Sequence, residues 1–185
     1  MRQDLVERMR SGDHDAYAAL VRDSLGRLYR TARLILRDPE RAEDAVQESL
    51  VLAWRDIGGL RDPERFDAWL FRILVRSCNS TGRRGRSGTV TEITLERPRD
   101  ERRLDPTGPL AEREEVERAF GQLTQDQRTI LTLIYFADLS VADTSVAVGL
   151  PVAKARSRLH HSIEDLRAAM ATDDPISHVW DGQIA

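Results

Sequence analysis

Apolar residues recur at helical spacing along most of the chain but not between Gly85 and about Glu115, and no other feature limits the possible folds as sharply. Within that stretch Gly85, Gly88, Pro98, Pro106, Gly108 and Pro109 punctuate a run of charged residues. Only Thr89 to Leu95 alternates as a short strand would, and it has no second strand to pair with. An unstructured stretch of roughly thirty residues is rare inside one compact domain. The break therefore predicts two units, residues 1–84 and 116–170, joined by a flexible linker over 85–115 and followed by a tail over 171–185. A chain of 185 residues is long enough for two small domains.

Both units read as helical, which makes the fold class all-α. Asp13 can cap a segment in which Ala16, Ala19 and Leu20 start an apolar stripe that Leu25, Leu28, Ala32, Ile35 and Leu36 continue. Asp38-Pro39 and Asp62-Pro63 are start signals, each a capping carboxylate followed by a proline at the first helical position. After the first, Ala42, Ala45, Val46, Ser49, Leu50, Ala53, Trp54 and Ile57 trace one face until Gly58-Gly59 ends it. After the second, Phe66, Trp69, Leu70, Ile73, Leu74 and Ser77 trace the next. In the second unit a helix runs through Val116, Ala119, Phe120 and Leu123, and Thr124 and Gln127 form a capping box ahead of Ile130, Leu133, Ile134 and Ala137. Ser140 to Asp143 offers another box for a short helix that stops near Gly149. Pro151 then opens a last helix with Ala155, Leu159, Ile163, Leu166 and Met170 inside. Short helix, glycine turn, longer helix is the helix-turn-helix pattern.

Charge divides along the same boundaries. The chain has 28 basic and 31 acidic side chains, net -3, which taken whole argues against nucleic acid as a partner. Summed by segment, residues 1–84 are +2 and 118–170 are +1, while 85–117 and 171–185 are each -3. The acid excess thus lies in the linker and the tail. One cysteine, Cys78, excludes a disulfide framework and a cysteine-based zinc site, and points to a reducing cytoplasm. No run approaches the ~20 apolar residues a membrane span needs, so no membrane insertion is expected. Adjacent His160 and His161 point to different sides of a helix and cannot chelate a metal together. With no GxSxG, HExxH or glycine-rich phosphate loop, no catalytic residues, no metal and no cofactor are expected.

Three surfaces remain as candidates. On the last helix Lys154, Arg158 and His161 share a face at i, i+4, i+7, with Ser157 beside them and Arg156 flanking. A charge cluster alone is most often a solvated face. Here it occupies the N-terminal half of a would-be recognition helix, the part that enters the major groove, where Arg and Lys bond guanine edges or phosphates. A second basic cluster, Arg76, Arg83, Arg84 and Arg86, is interleaved with Ser77, Asn79, Ser80 and Thr81 and suits single-stranded or opened DNA. Trp69 falls on the apolar stripe and reads as core, whereas Phe71 upstream of the cluster stays open between core and a stacking role. The third surface is acidic: Glu43, Asp44, Gln47, Glu48 and Val51 on the outward side of the Pro39 helix, suited to a protein partner.

These segments resemble a known family. Ala42-Glu43-Asp44-Ala45-Val46-Gln47-Glu48-Ser49, Ala53-Trp54, Phe66 through Ile73 and Arg83-Arg84 resemble region 2 of bacterial RNA polymerase sigma factors of the extracytoplasmic-function group. Leu123 through Arg128, Leu139-Ser140 and Gly149 through Leu159 resemble its region 4. The resemblance implies that Asp44, Gln47 and Glu48 dock on the β′ clamp of core RNA polymerase, with a further contact of region 4 to the β flap. It implies that Arg76, Asn79, Ser80, Arg83 and Arg84 recognise and open the promoter −10 element, and that Lys154, Arg156, Ser157, Arg158 and His161 read the −35 element. The acidic linker would thread the polymerase toward its RNA exit channel, and an anti-sigma protein is a further candidate partner. Where the family carries Glu-Ile-Ala this chain has Asp143-Thr144-Ser145, which puts Thr144 at a normally apolar position. Two other readings of the same residues predict different behaviour. A stand-alone helix-turn-helix regulator would bind a palindromic operator without polymerase, and a helical interaction module would be indifferent to the charges of Lys154 and Arg158.

Overall fold

The computed structural model describes residues 2–86 and 110–171, with the backbone alone for 82–86 and 110–115. The character of the linker, the strand at Thr89 to Leu95 and the tail lie outside the described residues, among which every regular element is helical. Helix α1 is Arg2–Arg10, α2 His14–Leu36, α3 Pro39–Asp56 and α4 Phe66–Arg86; α5 is Leu110–Gln122, α6 Gln125–Leu131, α7 Val141–Val148 and α8 Val152–Ala171.

The start signals work as their chemistry requires. The Asp13 carboxylate accepts from the amides of Asp15 and Ala16, at 2.9 and 3.0 Å, and Asp38 accepts from Arg41, at 3.1 Å, with Pro39 at the first helical position. Asp62 caps a single 3₁₀ turn, Pro63–Arg65, which leads into α4 at Phe66. Thr124 and Gln127 close the full capping box of α6. At Ser140 the box is half of one: its hydroxyl oxygen accepts from the Asp143 amide at 3.0 Å, and its O–H turns to the Asp143 carboxylate. Sequence periodicity does not announce α1, which inserts Val6 and Met9 into the core of the first unit.

Helix α4 is the centre of the molecule. Phe66, Trp69, Leu70, Ile73, Leu74 and Ser77 are buried on one side, the stripe expected from sequence, where α3 and α2 pack. Phe71, Val75 and Cys78, at i, i+4, i+7, are buried as well and make a second stripe about 100° away. Helix α7 of the second unit packs along α4, and Leu133, Ala137, Leu139 and Ala147 join the apolar cluster of the first unit. Phe71 is therefore core, 2 % exposed, with the Arg27 guanidinium 5.4 Å from its ring centre. Of α4 before Asn79, only Arg72 and Arg76 stay fully exposed.

The junction between the units also has polar bonds. Arg27 donates to the carbonyl of Ala137 at 3.1 Å, Arg128 to that of Ile35 at 3.0 Å, and the Gln125 amide to the Asn79 side chain at 3.2 Å. Burial and the nearby Arg37 press the pKa of Arg128 below the ordinary guanidinium value. Opposing these contacts, the hydroxyls of Thr31, Thr132 and Thr144 are buried without a hydrogen-bond partner among the described residues. Each such group costs about 1–3 kcal/mol. Thr31 lies one helical turn from both Arg27 and Ile35, and Thr144 shares a face of α7 with Ala147 and Val148.

One turn explains how a single hairpin serves two cores. Thr132–Phe136 is wound as a π turn, with the Ala137 amide bonded to the Thr132 carbonyl five residues back at 2.9 Å. Ile130, Leu131 and Ile134 face the second unit's own core with Leu123, Ala155 and Leu159, while Leu133 and Ala137 face the first unit. The sequence places Ile130, Leu133, Ile134 and Ala137 on one stripe, and the structure splits them.

Candidate nucleic-acid interface

The helix-turn-helix forms as its sequence dictates. Helix α7 ends at Gly149, whose φ of 70° is a left-handed conformation that suits glycine, and the Leu150 amide reaches back to the Ser145 carbonyl at 2.9 Å. The Pro151 carbonyl then accepts from Ala155 at 2.9 Å as α8 begins. Ala155, Ser162 and Ala169 are buried, which turns the opposite face of α8 outward. Lys154, Arg156, Ser157 and His161 are exposed there, and Arg158 is half-buried. Lys154, Ser157, Arg158 and His161 line one open groove with Thr124, Asp126 and Gln127 from the start of α6, which brings together four of the five expected residues and leaves Arg156 outside the groove.

Two features of the groove were not visible in the sequence. The Arg158 guanidinium donates to the Asp126 carboxylate at 2.9 Å, 32 residues away in the chain. One of the two arginines of the cluster is therefore held by an acid inside the groove. His161 sits with Nδ1 2.8 Å from the Ser157 carbonyl, which has no proton to give, so Nδ1 donates and the neutral ring keeps Nε2 as an acceptor. His160 turns instead to Glu164, at 3.3 Å. Among the described residues no group of His, Cys, Asp and Glu gathers to hold a metal.

The second basic surface is a strip along α4. Arg76 is exposed; Asn79 and Ser80 are half-buried. Asn79 accepts the Gln125 amide across the junction between the units. The Ser80 hydroxyl lies 2.9 Å from the Ser77 carbonyl and 3.3 Å from the Glu48 carboxylate. Arg83 and Arg84 fall on the part of α4 given as backbone alone. Sequence reasoning missed Arg72, which is exposed and stands one turn before Arg76 in the series 72, 76, 79. The i, i+4, i+7 spacing that picked out the α8 cluster would have found it.

The acidic surface lies on α3. Glu43, Asp44 and Gln47 are exposed, Glu48 is half-buried by its contact with Ser80, and Val51, one turn beyond Gln47 and Glu48, is 67 % exposed. Beneath it the Tyr17 hydroxyl donates to the Leu50 carbonyl at 3.1 Å, and His14 stacks on Trp54 at 4.5 Å, which fixes α3 against α2. Cys78 has no such accessible setting: it is fully buried, and burial pushes its thiol up to about 12. No helix among the described residues is long and apolar enough to cross a membrane.

Comparison with known proteins finds likeness over both units. Residues 20–87 match the family described as Sigma-70 region 2, and residues 113–166 match Sigma-70, region 4. The chain is 31% identical over 182 residues to the RNA polymerase sigma-H factor of Pseudomonas aeruginosa, covering 91% of this chain and 93% of that one. It is 30% identical over 148 residues to the ECF RNA polymerase sigma factor SigM of Mycobacterium tuberculosis, covering 80% and 74%. Among solved structures, CnrH in complex with the cytosolic domain of CnrY superposes with a TM-score of 0.68 at 25% identity, over 93% of this chain and 98% of that one. The sigma factor RpoE of Bartonella quintana, in complex with the anti-sigma factor NepR, gives 0.66 at 25% identity, over 85% and 98%.

Proposed function

The chain belongs to the extracytoplasmic-function group of sigma-70 factors, which bring core RNA polymerase to promoters and start transcription there, and on that footing we propose which of its residues carry the work. The observation that carries the assignment of residues is the exposed front of α8, where Lys154, Arg156 and Ser157 stand just past the Gly149 turn. A helix-turn-helix presents this part of its second helix to base edges. Lys154, Arg156, Ser157, Arg158 and His161 read the −35 element. His161 offers Nε2 as an acceptor to a cytosine or adenine amino group when neutral, and as a second donor when protonated.

The strip on α4 meets the −10 element through Arg76, Asn79, Ser80, Arg83 and Arg84, to which the exposed position of Arg72 adds a sixth residue. Arginines on one helix edge hold the phosphates of an opened strand, and Asn79 and Ser80 supply short polar groups for a base. Asp44, Gln47 and Glu48 face the β′ clamp, with Val51 as the apolar centre of that contact. By the same assignment residues 1–84 form the clamp and −10 unit, 85–115 the linker and 116–170 the −35 unit, whose second polymerase contact is the β flap. An anti-sigma protein is a fitting further partner, since both solved relatives are complexes and that of RpoE holds an anti-sigma factor.

Sigma factors are initiation factors and not catalysts, and they act on polymerase in the cytoplasm. We assign this chain no reaction of its own. A regulator acting without polymerase is not favoured. Run-off transcription with purified core polymerase and a genomic promoter library tests the reading: this chain should stimulate initiation at a defined promoter set, and Lys154→Ala with Arg156→Ala should abolish −35 dependence. No stimulation over core polymerase alone would refute it.

A further inference from the structure

Two apolar side chains stand at the front of α8 without serving the fold. Val152 is 44 % exposed and Ala153 is exposed, both in the first turn after Pro151. A scattered exposed valine is ordinary on a protein surface. Here, however, the next turn carries Arg156, which, unlike Arg158, has no ion-pair partner among the described residues. We infer that Val152 and Ala153 are specificity-determining residues, packing on the 5-methyl group of a thymine in the −35 element close to a guanine bonded by Arg156. This inference rests on the sigma-factor reading and deepens it.

The phase of α8 gives the direction in which these side chains point. Ala155, Ser162 and Ala169 are buried at intervals of seven residues, so they mark one inward line along the helix. At about 100° per residue, Ala153 lies almost opposite that line, and Val152 and Arg156, one turn apart, lie about 80° and 120° from it on the same flank. Lys154, Arg158 and His161 lie on the other flank, where Asp126 joins them in the groove against α6. The helix thus offers DNA two different edges, a polar one beside α6 and an apolar one that ends in Arg156.

The chemistry of the second edge selects its target. Of the four bases, thymine alone presents a methyl group in the major groove, and small apolar side chains are the groups that recognise it. Arginine is the side chain that bonds guanine O6 and N7 together. Between Val152 and Arg156 the helix advances about 6 Å, the rise of about two base pairs. With α8 laid along the groove, the thymine therefore falls within about two pairs of the guanine. Serine at either position would keep the helix but set a hydroxyl against the methyl, which can satisfy no hydrogen bond.

Deoxyuridine in place of thymine deletes the methyl and leaves base pairing intact, which makes it the probe. Holoenzyme assembled from core polymerase and the full-length chain is titrated by fluorescence anisotropy against promoter duplexes in which the thymines of the −35 element, on both strands, are replaced one at a time. At one or more of these positions the parent chain should bind the deoxyuridine duplex about two- to fourfold more weakly, the effect of exposing one buried methyl. The double variant Val152→Ser with Ala153→Ser should bind both duplexes equally, with helix content by circular dichroism unchanged because both positions are exposed. Val146→Ser, at a valine 54 % exposed on α7, should keep the discrimination. Arg156→Ala should relax the preference for guanine within about two pairs of the same thymine. The proposal is overturned by equal affinity of the parent for thymine and deoxyuridine throughout the element, by discrimination that survives in the double variant or is lost in Val146→Ser, or by a relaxed guanine elsewhere. A chain that directs polymerase to no promoter sinks the sigma-factor reading and this inference with it, whereas promoters bound equally well with either base sink this inference alone.

Discussion

Asp126 holds Arg158, one of the residues proposed to read the −35 element, and removing it should strengthen promoter binding. In the free chain the Arg158–Asp126 pair is 2.9 Å apart with side chains 39% and 64% exposed. Coulomb attraction at that distance in a water-like medium is about 1.4 kcal/mol. Exposure, side-chain entropy and salt reduce such pairs to a net of about 0.2–1 kcal/mol. Asp126→Ala returns that amount to DNA binding and also removes a negative charge from the groove, so affinity for a −35-containing promoter should rise about two- to fivefold at low salt. Because Arg158 would then neutralise a phosphate in place of the Asp126 carboxylate, the slope of log K against log salt should steepen by up to about 0.9. Fluorescence anisotropy of the holoenzyme on labelled promoter DNA across a salt series measures both quantities. A double-mutant cycle isolates the pair: in an Arg158→Ala background, Asp126→Ala should keep only its smaller, long-range effect. Weaker binding by Asp126→Ala, or an unchanged slope, would refute the argument and make Asp126 a residue that positions Arg158 for DNA.

The packing and the titration behaviour set three further outcomes. Phe71→Ala removes a buried ring from α4 and should cost about 3–5 kcal/mol by chemical denaturation; a loss below about 1 kcal/mol would mean that the ring is not closely packed. The Asp13 carboxyl is lowered below its usual value chiefly by the Ala16 amide and then by Arg8, so its contribution is present above the unfolded value and is lost as pH falls through the folded one. Asp13→Asn keeps a capping oxygen and should flatten the fall of Tm below the ordinary aspartate range, and an unchanged acid limb would count against the cap. Cys78, pushed up to about 12 from 9.0, holds about a thousandfold less thiolate than a free thiol, and a thiol reagent at pH 8 should modify it at least a hundredfold faster once the chain is unfolded.

What could be read from the sequence was what local chemistry decides. Asp13, Asp38-Pro39, Thr124 with Gln127, and Gly149 mark helix ends through bonds to backbone groups within four residues, so their spacing suffices. The exposed front of α8 was legible for the same reason, as the complement of a regular apolar stripe. Phe71 and Val75 were ambiguous because their burial depends on α7, some seventy residues away in the chain, and a stripe on the second side of α4 looks like surface until that neighbour is known. Helix α1 was missed because Val6 and Met9 are too few apolar positions to establish a period. Arg158 looked free since Asp126 meets it only after α6 and α8 cross, and the split of Ile130 from Leu133 required a π turn that ordinary helical arithmetic does not contain.

That turn is also a point where inheritance could act cheaply. Each residue of a helix rotates the next by about 100° and advances it by about 1.5 Å. The π turn at Thr132–Phe136 adds one such step, which aims Leu133 and Ala137 at the first unit, where α2 packs against the turn, while Ile130 stays in the core of the second unit. Loss of a single codon there would restore an ordinary helix, swing Ala137 off its seat and withdraw the carbonyl that Arg27 holds, while leaving every exposed side chain on the front of α8 in place. A one-codon change there would thus alter the contact between the two units without altering any residue proposed to meet polymerase or promoter.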